Sequence, residues 1–231
     1  MKGYIIGDKE NNVSVRAMNT CAGTMSLFKA PFTIEMVQQT SPETLEKDLA
    51  AFPGLEWTYP LNEDWGEFNG IRLPGYRAAD EKTIFSCTIS HARLWLRCVR
   101  LNEEVMILEH DAAFTRDLTD FPLQWSGGVL GLNDPRGATH SPQKYHAMVS
   151  ESPGIHDAPW VKPEEEMPQG LAGNSAYIIK PYFAKMLLEK LKEVGCWPND
   201  ALMCKQLFPN ELKVIYPYYT RVQGIQSTTT Y

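Results

Sequence analysis

The chain has 231 residues, of which 43% are hydrophobic and 11% aromatic, so it can bury one large core, and we expect a single domain over residues 1–231. A formal net charge of −6 argues against a uniformly basic protein, and a nucleic-acid partner would need a local basic patch. The five cysteines form no C-x-x-C pair and no apolar stretch reaches the length of a bilayer span, so we expect a cytoplasmic protein with reduced thiols and no membrane span.

The first 52 residues alternate two predicted strands with two predicted helices. An apolar strand over residues 3–7 ends at Asp8 and leads through a polar stretch into a helix from about residue 15 towards residue 28. Residues 32–37 follow as a second strand, and residues 40–43, Thr-Ser-Pro-Glu, carry a hydroxyl cap and a proline typical of a helix start. This alternation predicts the parallel sheet of an α/β protein.

Residues 53–80 form a predicted long loop in which prolines and glycines alternate with five aromatic residues. Loops of this length are usually functional or disordered, and the aromatic content argues against disorder.

The segment 83–101 is predicted to be a buried helix that packs under the next strand. We interpret His91, within that helix, as a hydrogen-bonded core residue in preference to a ligand.

The triplet of Glu109, His110 and Asp111 directly follows the apolar run 105–108. An apolar run of this length without helical period is typical of a buried strand, and ligands of open α/β sheets bind at the carboxyl ends of the strands. Side chains at positions i and i+2 of an extended chain share a face, so these groups can converge on a divalent cation that binds a diphosphate. The alternative is that Glu109 and Asp111 cap a turn and stay solvated.

The rest of the chain is predicted to contain a glycine-rich strand within 121–132, a loop-like region over 133–170, a strand at 176–179 and a helix from 181 that ends at Gly195. We expect the region 133–170 to be a mobile flap over a site. Its three histidines, His140, His146 and His156, have no regular spacing and do not predict a zinc site. Asp200 follows the late helix, where a helix cap is its simplest role.

Five of these segments occur in an order that resembles a known family. They are the first strand with its loop to Arg16, Ser90-His91 at the opening of a helix that contains Trp95, and the segments 107–111, 173–181 and 198–200. In this order they resemble glycosyltransferase family 25, which includes lipooligosaccharide sugar transferases and collagen galactosyltransferases. The resemblance runs from Tyr4 to about Thr228, with insertions near 53–80 and 133–170.

The resemblance implies an α/β fold of GT-A type, Rossmann-like, with a mostly parallel sheet and helices on both faces. It also implies a nucleotide-diphosphate sugar donor, expected to be a UDP-sugar, bound with Mn²⁺ or Mg²⁺. The family's acidic motif is usually Glu-Asp-Asp, so Glu109 and Asp111 match it, whereas His110 departs from it and is assigned to the metal through its imidazole.

The remaining site residues are assigned by the same resemblance. Family members invert the anomeric centre, which requires one general base, and the candidates are Asp200 and then Glu109. Residues assigned to the nucleotide and its phosphates are Tyr4, Ser14, Arg16, Ser90 and His91.

The resemblance leaves three functional hypotheses open. The first, which the sequence reasoning prefers, is transfer to a hydroxymethylated base of phage DNA in the host cytoplasm, because this short chain is similar to compact DNA-modifying members. The second is transfer to a saccharide in lipooligosaccharide or other surface glycan assembly. The third, motivated by His110, is a sugar-nucleotide binding protein without turnover. Cations that would contact DNA phosphates in the first case are Arg72, Arg77, Arg93, Arg97, Arg100 and Lys162.

Overall fold

The computed structural model describes residues 1–28, 32–78, 80–119, 121, 124–138, 141–162 and 164–225. Within these residues the chain forms the following strands: β1 (Lys2–Gly7), β2 (Thr33–Gln38), β3 (Trp65–Phe68), β4 (Ile71–Pro74), β5 (Val105–Glu109), β6 (Ala112–Phe114), β7 (Val129–Gly131), β8 (Gly154–Asp157), β9 (Ala176–Ile179), β10 (Leu212–Tyr216) and β11 (Thr220–Val222). The helices are α1 (Asn12–Leu27), α2 (Leu45–Leu49), α3 (Glu81–Leu101), α4 (Pro142–Val149), α5 (Pro181–Val194) and α6 (Asn199–Leu202), with a 3₁₀ turn at Pro135–Gly137.

Seven strands form one central sheet in the order β2-β1-β5-β9-β7-β10-β8. β1 is parallel to β2 and to β5, and β10 is parallel to β7. β9 lies antiparallel between β5 and β7, and β8 is antiparallel to β10. Because β7 therefore points the same way as β5, five of the seven strands share one direction, and the prediction of a mostly parallel sheet is confirmed.

The sheet has a hydrophobic core on each face. Alternate residues of β5 enter different cores, since Ile107 packs with α3 and α5 whereas Met106 and Leu108 pack with α1. This alternation follows from the two-residue period of a strand, and a strand covered on both faces becomes an unbroken apolar run. The predicted arrangement of helices on both faces is confirmed.

Gly7 at the end of β1 lets α1 approach the sheet closely. A Cβ atom there would lie 2.7 Å from Met18 Sδ and 2.8 Å from Ser14 Oγ. Asn11 then caps α1, since its side-chain oxygen accepts from the backbone N–H groups of Val13 and Ser14. The helix consequently begins before the predicted residue 15.

Several local predictions were wrong. Residues 41–44 form a turn and α2 begins only at Leu45, because the Thr40 hydroxyl bonds to Asp48 and does not cap the helix. The predicted loop 53–80 contains the hairpin β3–β4. The strand predicted within 121–132 is confirmed, and in the described part of that segment it comprises Val129–Gly131.

The flap prediction for residues 133–170 is not supported by the part of this region that is described. It contains α4 and β8, and β8 is the edge strand at the end of the sheet beyond β10. None of its described residues lines the cleft described below. Short polar helices and half-exposed edge strands carry a weak periodic signal, which is why the region resembled a loop.

All five cysteines have free thiols in the structure. In the described part of the chain, no helix is both long enough and apolar enough to span a bilayer.

Candidate active site

A cleft of about 430 Å³ lies at the carboxyl edge of the parallel strands β2, β1 and β5. Ile6 of β1, Thr40 just after β2 and Glu109 at the end of β5 line it, together with residues of α3 and α6. This is the edge at which open α/β sheets bind ligands, because the strand ends and following turns leave a crevice there. The cleft therefore lies where the acidic triplet predicted a ligand site.

The acidic turn that contains His110 and Asp111 is held by a residue far along the chain. β6 begins directly after the turn and pairs with β11, and Gln223 follows β11. The Gln223 backbone N–H donates to Asp111 O at 2.8 Å. Its side-chain amide lies 3.2 Å from His110 O, 3.0 Å from Ala112 O and 3.0 Å from Ala17 O of α1. One glutamine thus joins the turn to the helix below it.

Glu109 is fixed by both its backbone and its carboxylate. Its N–H donates to Ser175 O at 2.8 Å, and its Oε1 lies 3.3 Å from His91 Nε2. The other ring nitrogen of His91 lies 2.8 Å from the Tyr177 hydroxyl. The interpretation of His91 as a buried, hydrogen-bonded residue is confirmed, but the residue also lines the cleft.

Asp111 lies in a poorly solvated position. Burial, reinforced by the nearby Glu109 carboxylate, raises the pKa of Asp111 to about 6. Its Oδ1 atom is buried without a hydrogen-bond partner, which is costly for a carboxylate unless a ligand pairs with it.

Burial lowers the pKa of His110. The negative charge of Glu109 acts in the opposite direction, but the pKa remains lowered, which favours a neutral imidazole.

Asp200 also lines the cleft, on α6. Its Oδ1 accepts from the Ala201 N–H at 2.9 Å. The N-cap of α6 is Pro198, so the helix-cap role expected for Asp200 is wrong.

The pKa values of two neighbouring residues show the reach of the site carboxylates. Burial raises the pKa of Tyr76 and of Cys87 to about 12 each, and the charges of both Asp200 and Glu109 add to each shift. The phenol and the thiol thus lie within the electrostatic reach of both carboxylates.

The cleft is acidic. Among its lining residues in the described part of the chain, Glu109, Asp111 and Asp200 are carboxylates, and none is a lysine or an arginine. Two like charges a few ångströms apart repel by several kcal/mol at an effective dielectric constant of about 20. Without a counter-ion, an anionic ligand would be repelled by these carboxylates.

Two further lining residues have unused hydrogen-bonding capacity. The Nδ2 and Oδ1 atoms of Asn174 are buried without a hydrogen-bond partner, and the Ser86 hydroxyl is also unpaired. Both were missed by the sequence reasoning, although residue 174 lies in one of the quoted segments. Buried unpaired polar atoms in a cleft are consistent with ligand contacts.

The predicted site residues divide into two groups. Those that line the cleft are Ser90, His91, Glu109, His110, Asp111 and Asp200, whereas Tyr4, Ser14 and Arg16 do not line it. Tyr4 is buried inside the sheet beneath the Arg97 guanidinium, and Arg16 is exposed on α1.

Two of the predicted nucleotide-binding hydroxyls are already engaged. Ser14 Oγ accepts from the Asp8 N–H at 2.8 Å. Ser90 Oγ accepts from the Thr40 N–H at 2.8 Å and donates to Ser86 O at 2.9 Å. These bonds tie α1 and α3 to the ends of β1 and β2, so both serines also have a structural role.

Most cations suggested for DNA contacts are paired within the chain. Salt bridges join Arg77 to Asp64, Arg93 to Asp48, Arg97 to Glu35 and Lys162 to Glu165, and Arg72 lies over the Trp65 ring. A cation already neutralised by a carboxylate offers less to a phosphate.

A metal centre built wholly from the protein is not present in the described residues, since no three His, Cys, Asp or Glu side chains converge there. His146 pairs with Tyr218 and His156 with Ser152 O, while His140 lies outside the described residues. The unpaired Asp111 oxygen nevertheless fits Mg²⁺ or Mn²⁺. Such ions are usually bound by one or two carboxylates plus water and substrate phosphates.

Comparison with known proteins gives a family match. The family model of glycosyltransferase family 25, described as an LPS biosynthesis protein, matches residues 82–203. This segment includes α3, the acidic turn, Asn174 and Asp200, and it spans more than half of the chain. No curated protein matches the chain.

Solved structures with a similar fold are distant in sequence. Glycosyltransferase GlyE of Streptococcus pneumoniae TIGR4 is 11% identical with a TM-score of 0.44, over 93% of this chain and 45% of that one. Mouse xyloside xylosyltransferase 1 is 7% identical (TM-score 0.38, 91% and 83% covered). A 4-diphosphocytidyl-2C-methyl-D-erythritol synthase from Anaerococcus prevotii is 12% identical (TM-score 0.44, 99% and 92% covered). The chain spans less than half the length of the streptococcal protein.

Proposed function

Since the chain belongs to glycosyltransferase family 25, we propose that its cleft transfers a sugar from a nucleotide-diphosphate sugar to a hydroxyl group, with a divalent cation between the diphosphate and the acidic turn. The observation that carries this proposal is the charge of the cleft. Three carboxylates and no lysine or arginine of the described chain line it, so a diphosphate can bind only with a cation as its partner.

The cation would be held by the acidic turn. Asp111 provides a buried carboxylate oxygen without a partner, and Glu109 provides a second carboxylate close enough to raise the Asp111 pKa. His110 is a further candidate ligand, because its lowered pKa leaves a nitrogen lone pair available near neutral pH. When bound, Mn²⁺ or Mg²⁺ would neutralise the charge that develops on the departing diphosphate.

Asp200 is our first candidate for the general base. It is exposed at the cleft, so an incoming hydroxyl can reach it. The carboxylate would accept the hydroxyl proton while the oxygen bonds to the anomeric carbon and the carbon–phosphate oxygen bond breaks. One displacement of this kind inverts the anomeric centre. Glu109 is the second candidate, since one of its oxygens is occupied by His91.

The described surface favours a saccharide acceptor over DNA. Four of the six suggested cations are in salt bridges, which removes most of the proposed phosphate contacts. Tyr76 lines the cleft and offers an aromatic ring on which a sugar can stack. The donor is proposed to be a UDP-sugar.

A mass-shift assay tests this proposal. The chain is incubated with a panel of UDP-sugars and other nucleotide sugars, with Mn²⁺ or with a chelator. The acceptors are simple glycans and hydroxymethylcytosine DNA. We expect a mass increase of one sugar on a glycan, only with the metal. An increase on DNA would reverse the acceptor assignment, and donor binding without hydrolysis or transfer would favour the non-catalytic binding protein.

A further inference from the structure

We propose that a buried hydrogen-bond relay from Trp95 through Tyr177 to His91 holds the Glu109 carboxylate at the cleft, and that His91 and Tyr177 are therefore positioning residues. The relay is a property of the fold. The role of Glu109 as a cation ligand or general base, in contrast, rests on the proposed function.

The relay crosses from the hydrophobic core to the cleft. Trp95 and His91 are four residues apart on α3 and so lie on the same face of the helix. Trp95 Nε1 donates to the Tyr177 hydroxyl at 3.0 Å, and this hydroxyl lies 2.8 Å from His91 Nδ1. The rings of His91 and Tyr177 stack with an interplanar angle of 16°. His91 Nε2 lies 3.3 Å from Glu109 Oε1.

Donor chemistry fixes only the first bond of the relay. An indole N–H can only donate, so the Tyr177 oxygen accepts from Trp95. We assign the single proton of the Tyr177 hydroxyl to its other neighbour, His91 Nδ1, which lies 2.8 Å away. Burial raises the pKa of Tyr177 well above its usual value, so the hydroxyl keeps this proton. In this assignment His91 Nδ1 accepts the Tyr177 proton, and a ring proton on Nε2 faces Glu109 Oε1 at 3.3 Å.

The relay has a consequence for the cleft. The Glu109 side chain is 41% exposed, whereas the His91 side chain is only 4% exposed, so a rigid donor holds a carboxylate that would otherwise rotate freely. Because one carboxylate oxygen is held by His91, the other is left for a cation or for an acceptor hydroxyl. Outer partners of this kind orient a ligand and reduce its loss of freedom on binding.

The tautomer is read directly by NMR on the ¹⁵N-labelled full chain, without metal. A long-range ¹H–¹⁵N spectrum separates bare from protonated ring nitrogens, and the His91 signals are those that vanish in His91→Gln. We expect a bare Nδ1 and a protonated Nε2. A protonated Nδ1 beside a bare Nε2 would overturn the proposal, because no ring proton would then face Glu109.

Variants test the link to Glu109. His91→Ala is expected to lower sugar transfer at fixed Mn²⁺ by about 10- to 100-fold, and His91→Gln to recover part of this loss because its amide can still donate. Tyr177→Phe should populate both His91 tautomers and cause a smaller loss. The matched control is Tyr145→Phe, since Tyr145 is also buried but belongs to another core cluster. It should leave the tautomer and the activity unchanged.

The two proposals fail in different ways. Transfer by His91→Ala equal to that of the wild type would overturn the relay, even if the wild type is an active transferase. If the wild type transfers no sugar from any donor, the proposed function fails, and the ring-nitrogen spectrum alone decides the relay. That spectrum needs only the wild-type fold, so it still decides the question if His91→Ala does not fold.

Discussion

At the residue scale, the chemistry centres on the unusual state of Asp111. A carboxylate with a raised pKa and an unpaired buried oxygen is poorly stabilised in the free protein. A carboxylate of this kind lowers the free energy of unfolding, because burial removes its solvation. A cation that binds the folded protein at this oxygen compensates for the lost solvation and stabilises the fold. The same residue is therefore expected to lower stability and to support activity.

Asp111→Asn should reduce sugar transfer by about 100-fold or more, because it removes the charge that holds the cation while it changes the volume little. The assay is initial rate at saturating donor and Mn²⁺. Asp157→Asn is the matched control, since Asp157 on β8 pairs with Lys213 on β10 and lies outside the cleft. Asp111→Asn activity within a few-fold of wild type would remove Asp111 from the site.

The stability of the metal-free protein should depend on pH through Asp111. The folded pKa is about 6, whereas an unfolded aspartate titrates near 4. Between these values the unfolded chain binds fewer protons than the folded one, so stability falls as pH rises from about 4 to 6 and stays lower above pH 6. The loss is roughly 3 kcal/mol, because each pKa unit corresponds to about 1.4 kcal/mol.

Urea unfolding of the wild type and of Asp111→Asn with chelator checks this expectation. The variant should be the more stable of the two at pH 7, and the difference should shrink towards pH 4. A difference that is constant across this range would show that the Asp111 carboxyl does not titrate as expected.

At the scale of the elements, local signals predicted the parts of the site that lie on regular structure. β5 and α3 have strong apolar patterns, and the change from Leu108 to Glu109 marks a strand end that can be read from sequence. The antiparallel insertion of β9, the hairpin β3–β4 and the strand β8 were not predicted. Their pairing depends on contacts between distant segments, which local periodicity does not encode.

The same limit applies to the residues that support the site. Tyr177 lies 86 positions from His91, and Gln223 lies 113 positions from His110. Neither relation leaves a pattern in the sequence. Asn174 was not predicted either, because its unpaired amide becomes evident only when its surroundings are known.

The contact between Gln223 and the acidic turn gives a prediction at this scale. Gln223→Ala removes amide contacts to three backbone carbonyls that connect α1 with both sides of Asp111. We expect a loss of about 1–3 kcal/mol of stability and of about tenfold in activity. Gln143→Ala, at an exposed position of α4, is the control. Unchanged transfer and unchanged Mn²⁺ requirement in Gln223→Ala would show that the turn keeps its geometry without this residue.

At the scale of the whole molecule, the net charge of −6 and the paired cations make an anionic polymer a poor partner. Contacts to a saccharide are neutral hydrogen bonds and stacking, and these respond little to salt. Binding to DNA would instead weaken steeply as salt rises, because each phosphate contact releases counterions.

We therefore expect transfer rates to change less than about twofold between 50 and 200 mM salt, whereas several phosphate contacts would cost orders of magnitude. Charge reversal of Arg72, which lies over Trp65, should have little effect on glycan transfer. Steep salt dependence together with a mass shift on hydroxymethylated DNA would instead establish DNA as the acceptor.

The central claim is that a diphosphate enters this acidic cleft only with a divalent cation. Calorimetric titration with a UDP-sugar, once with Mn²⁺ and once with chelator, tests it most directly. We predict affinity at least about tenfold tighter with Mn²⁺ for the wild type, and no metal-dependent gain for Asp111→Asn. Equal wild-type affinity in both titrations would contradict the account.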